Sequence, residues 1–158
     1  MPLMSILILN SKTMSKVEEF LTTDEEQEIV DAILMAERHT SGEIRVHIEA
    51  TAQIDHFSRA QQVFHFLKMD NTKDENGVLL YVAVADKKFV IYGDRGIDKA
   101  VPRGFWETTK EVIALHFKKG QFKQGIIEGV LKAGKELEKH FPWHHNDTNE
   151  LDDAISKG

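Results

Sequence analysis

Residues 76–98 read NGVLLYVAVADKKFVIYGDRGID. Seven apolar residues run unbroken from Val78 to Val84. A strand apolar on both faces belongs in the middle of a covered sheet. Asp86-Lys87-Lys88 supplies turn chemistry, and Phe89 to Tyr92 runs back as a second strand. The stretch therefore predicts a central hairpin. It ends in Gly93-Asp94-Arg95-Gly96-Ile97-Asp98, expected as a loop dense in acids and glycines.

Upstream, Glu43-Ile44-Arg45-Val46-His47-Ile48-Glu49 alternates strictly and predicts a strand that buries Ile44, Val46 and Ile48. Between it and the hairpin, Asp55 is placed to cap a helix lined by Phe57, Ala60, Phe64 and Leu67. Ahead of it, Thr23-Asp24-Glu25-Glu26 reads as a capping box for a helix carrying Ile29, Val30, Ile33, Leu34 and Ala36. Downstream, residues 100–104 are expected as a short helical turn around Pro102. Two more helices follow, one on Trp106, Thr109, Ile113 and Phe117, the other from Phe122 to Phe141, stopped by Pro142. Strand, helix, strand, hairpin strand and helices predict an α/β layered domain. Its first two strands are expected to be parallel through a right-handed crossover, and the third antiparallel to the second. The mixed sheet is thus a βαβ unit followed by a β-hairpin, about four strands with one further short strand unplaced. Residues 1–15 are expected as an N-terminal extension, with Met14 a sensible natural start, 16–142 as one domain, and 143–158 as a polar tail.

The 158 residues suit one domain. A net charge of −6 and a pI near 5.7 argue against a general nucleic-acid binder. The absence of cysteine removes disulfides, thiolate catalysis and cysteine-held metals. It fits a reducing compartment, and a cytoplasmic location is expected: Leu3 to Leu9 lacks the basic start of a secretory signal, and no transmembrane segment is expected.

The predicted topology gathers acids. The loop before the second strand, 72–77, and the loop after the third, 93–98, fall at one sheet edge, with Ser41-Gly42-Glu43. Asp74, Glu75, Asn76, Asp94 and Asp98 can converge there. Clustered carboxylates repel unless neutralised, and calcium or magnesium takes carboxylate, amide and carbonyl oxygens. Arg95 offers a fork for a phosphate oxygen. The opposing reading is ordinary turn chemistry with solvated acids. A second group, Glu49, Asp55 and Asp86, falls at the opposite edge, where ligands of open α/β sheets bind, and is the fallback metal site. Residues 72–77 lack the downstream glutamate of an EF-hand. No dinucleotide, Walker or nucleophile-elbow motif is present. His140, His144 and His145 suggest adventitious metal binding only, and His47 is expected at the surface or under a helix.

In order and spacing, TSGEIRVHIE (40–49), NGVLLYVAVADKKFVIYGDRGID and FKKGQFKQGIIEGVLKAGKEL (117–137) resemble the TPM domain family. The likeness covers roughly Val17 to Phe141. The Gly93-to-Gly96 spacing is one residue longer than the common G-x-G of that loop. The resemblance implies a three-layer α/β/α sandwich with a Rossmann-like look. It also implies cation binding in acidic loops, with calcium the usual candidate, and either an accessory or regulatory role through a protein partner or acid phosphatase activity. Two functions follow: a Ca2+- or Mg2+-binding module that orders its loops for a partner, or a metal-dependent phosphatase that hydrolyses a phosphate ester with water, Asp94 or Asp98 serving as ligand or base.

Overall fold

β3 (Gly77–Ala83) lies inside the sheet and is buried along its whole length in the computed structural model, which describes residues 4–6, 17 and 19–143. β2 (Glu43–Glu49) pairs with it in parallel, Ile44 opposite Val78 and Ile48 opposite Val82. β4 (Lys88–Gly93) pairs with its other side antiparallel, Leu80 opposite Ile91. A three-residue strand, β1 (Met4–Ile6), runs parallel to β2, giving the order β1-β2-β3-β4. The full-length part of the sheet is thus the three-stranded βαβ unit and hairpin that the hydrophobic pattern anticipates. The tail beyond 143, with His144 and His145, lies outside the described residues.

The period-two pattern of the strands builds the layers. Ile44, Val46, Ile48, Val78, Leu80 and Val82 face one way. They meet Ile29 and Ile33 of α1 (Thr23–Glu37), Ile113 of α4 (Phe105–Lys118), and Ile126, Val130 and Leu137 of α5 (Phe122–His140). Leu79, Tyr81 and Ala83 face the other way, onto Ala60, Val63 and Phe64 of α2 (His56–Phe66). Helices on both faces make the three-layer α/β/α sandwich. Residues 45, 47 and 49 of β2 share the α2 side, so His47 is buried beneath that helix and stacks on Tyr81.

Two local expectations are corrected. The capping box of α1 is Thr22 with Glu25, not Thr23 with Glu26. LTTDEE offers two threonines, each with a glutamate three residues on, and the extended backbone of Thr22 (φ −80°, ψ 166°) selects the first. The expected loop after β4 is also largely helical. Asp94 caps α3 (Arg95–Ala100) by accepting the Arg95 N–H at 2.8 Å. Residues 101–104 are the irregular part, because Pro102 forces Val101 to be extended. Trp106 packs against the core and leaves no room for a side chain at Gly93.

Candidate functional site

Three chain segments meet at the amino end of β3. The Asp94 N–H donates to Gly77 O at 2.9 Å, so the antiparallel register carries on past β4. Asn76 Nδ2 donates to Ser41 Oγ at 3.2 Å, tying in the start of β2. The Gly96 and Ile97 N–H groups both donate to Glu75 O, seating the first turn of α3 on loop 72–77. Glu75 adopts the left-handed conformation (φ 51°) to present that carbonyl, a strained state for a residue with a side chain. Gly96 is required here: a Cβ would stand 1.9 Å from Asp74 O.

The structure buries Asn76 and Asp94 at this edge and sets the other acids to separate tasks. Asn76 is fully buried, and its Oδ1 accepts no hydrogen bond. Asp94 is 8% exposed. Burial pushes its carboxyl above the usual range, against the Arg95 N–H that lowers it, and the nearby carboxylates of Glu75 and Asp70 push it the same way as burial. Glu75 pairs with Arg95 at 2.6 Å on the exposed rim. Asp98 turns towards Trp106 and accepts its Nε1–H at 2.8 Å. Asp74 contributes its backbone carbonyl beside Gly96. Among the described residues, no three histidine, aspartate or glutamate side chains gather tightly enough to hold a metal by themselves. Carbonyl, amide and water oxygens would have to complete any coordination shell.

At the opposite edge the three fallback acids have separate partners. Asp55 caps α2 through Ser58. Asp86 accepts from Thr51 Oγ1, Ala52 N–H and His56 Nε2. Glu49 is buried against Arg59, which grips both its oxygens at 2.8 Å, and it also accepts from the Tyr81 hydroxyl. Burial alone would raise the Glu49 pKa; the hydrogen bonds override it and hold the group down at about 2. Tyr81 moves upward, through burial and through donation to the anion. Sequence reasoning missed Arg59 because its partner is 10 residues away on another element. The only local signal was a cation on the helix that covers the polar side of β2.

Fold and site define an α/β/α sandwich domain with oxygen-rich loops at the amino end of its central strand. The TPM domain family model, named TPM_phosphatase, matches residues 14–136, and the chain belongs to that family. The BA42 protein from the psychrophilic bacterium Bizionia argentinensis, solved by NMR, is 62% identical, with a TM-score of 0.78 over 87% of this chain and 95% of that one. The N-terminal domain of a protein from P. gingivalis shares the fold at 17% identity, with a TM-score of 0.65 over 90% of this chain and 88% of that one. The N-terminal domain of cg2496 from Corynebacterium glutamicum does so at 10% identity, with a TM-score of 0.64 over 93% and 90%. No curated protein matches. Among the described residues, no helix is long and apolar enough to cross a membrane.

Proposed function

We propose that this TPM domain binds a divalent cation, calcium or magnesium, at the junction of loop 72–77 with α3, and that the ordered edge is offered to a protein partner in an accessory or regulatory role. The observation that carries the reading is Asn76: its amide is anchored through Nδ2 on Ser41, while its fully buried Oδ1 accepts no hydrogen bond. An unsatisfied buried acceptor is costly, about 1–3 kcal/mol, and a hard cation satisfies it. Asp94, buried at the same edge, is the carboxylate that would join the site: burial raises its pKa, and a bound cation would hold it ionised. The donor set fits a calcium-like ion that accepts amide, carbonyl and water oxygens. With so few carboxylates the affinity belongs in the weak range, roughly 10⁻⁴ to 10⁻³ M.

The test is an NMR titration of chelator-stripped protein with calcium and with magnesium. Saturable shifts confined to residues 72–77 and 93–98, weakened at least about tenfold in a folded Asp94→Asn variant, support the site. Absence of saturable shifts, or equal affinity in that variant, overturns it. Shifts at Glu49, Asp55 and Asp86 instead move the site to the other edge.

The family's name favours a second reading, metal-dependent hydrolysis of a phosphate ester by water. Arg95 stands exposed at the same edge and would exchange Glu75 for a phosphate oxygen. Hydrolysis of p-nitrophenyl phosphate that is metal-dependent and lost in Asp94→Asn and Asp98→Asn supports this reading. Activity unaffected by both substitutions sinks it.

A further inference from the structure

Away from the acidic edge, the carboxyl end of β3 opens into a cleft of about 780 Å³. That volume is in the range of small-molecule sites, and carboxyl ends of strands are where open α/β sheets bind ligands. Residues 82–84 form one wall. Four phenyl rings also line it, with the Phe117 ring central: Phe20 lies 6.2 Å away, Phe89 5.2 Å and Phe122 5.4 Å between ring centroids. All four rings are only partly buried, although they sit directly on the main core.

The rim is basic. Lys87, Lys88 and Lys118 line it, are exposed, and have no ion-pair partner among the described residues. Glu19 is the one acid among the lining residues. In a chain of net charge −6, three cations against one acid in the lining make this mouth locally basic, although Glu107 and Glu111 lie in the adjoining depression beside Lys87 and Lys88. Lysine stems can extend the apolar wall while their ammonium groups stay in water.

We propose that this cleft binds a small amphiphilic anion: a single-chain carboxylate whose alkyl tail lies against the four phenyl rings and whose head meets Lys87, Lys88 and Lys118. The apolar tail accounts for the exposed ring surface and the carboxylate for the unpaired cations. The inference stands apart from the cation site, since the two lie at opposite ends of β3 and share no residue.

Decanoate, kept below its micelle concentration, is the probe. NMR titration is expected to give saturable shifts at residues 82–84, Phe89, Phe117 and Phe122, with residues 72–77 unmoved. Octanoate, two methylenes shorter, is expected to bind about tenfold more weakly. Decanol, lacking the charge, is expected to bind more weakly than decanoate. A triple variant, Lys87→Gln with Lys88→Gln and Lys118→Gln, is expected to keep its Tm and lose about tenfold in decanoate affinity. The absence of saturable shifts, shifts spread over the whole chain, or equal affinity for decanol or in the triple variant would each overturn the proposal. Binding to phosphatidylglycerol vesicles without binding of free decanoate would overturn it too, making the patch a membrane-docking face.

Discussion

Glu49 is the group through which acid should weaken this fold most, and Glu49→Gln isolates the effect. Glutamine approximates the neutral carboxyl, so the substitution removes the charge while preserving most of the shape. Folding lowers the Glu49 pKa from its ordinary 4.5 to about 2. At about 1.36 kcal/mol per pH unit this is about 3 kcal/mol of stability carried by the ionised group. Because the folded pKa is the lower one, the stabilisation is complete above pH 4.5 and is lost as pH falls from 4.5 towards 2. Linkage over that window leaves about 1.5 kcal/mol at pH 3. Urea unfolding of wild type and Glu49→Gln at pH 7 and pH 3 reads the difference directly. The gap is expected to narrow by about 2 kcal/mol, because the unfolded state takes up the proton below pH 4.5 while the folded carboxylate stays ionised. A gap constant across that range would refute the assignment of a buried, ionised carboxylate held by Arg59 and Tyr81.

Two further outcomes test local geometry. Gly96→Ala drives a methyl group into Asp74 O, and backbone cannot yield as a side-chain end can. Thermal unfolding should show a loss of about 1–3 kcal/mol or more, together with displaced resonances in loop 72–77. Thr22→Ala should cost about 1 kcal/mol by removing the cap of α1, while Thr23→Ala, inside the first turn, should cost much less. Denaturant unfolding of the pair distinguishes the two registers of the capping box, and equal losses would contradict the Thr22 cap.

The layers were legible because the strands carry their burial in strict period. Val78 to Val84 announces a strand covered on both faces, and Glu43–Glu49 a strand apolar on one side; the strand directions of the βαβ unit and hairpin follow. Misreadings fell where local chemistry is degenerate or short. Adjacent threonines made the capping box ambiguous by one residue. Arg95–Ala100 was hidden because six residues contain too little periodicity to show a helix, and its cap, Asp94, resembles an ordinary turn acid.

The candidate site divides along the same line. That loops 72–77 and 93–98 share an edge follows from strand direction alone, which the hydrophobic pattern and turn lengths dictate. Which oxygens face one another there does not follow. Asp98 turns to Trp106, Glu75 to Arg95, and the buried amide of Asn76 remains without a donor for its oxygen. Those outcomes depend on side-chain competition between elements distant in sequence. The pairing of Glu49 with Arg59 and Tyr81 was equally invisible. By itself the sequence determined the layers, the strand directions and the edge where acids collect, because these rest on period, length and turn chemistry. Tertiary structure alone decided which polar groups are neutralised and which are left wanting a partner, because desolvation and hydrogen bonding are set by neighbours that only packing brings together.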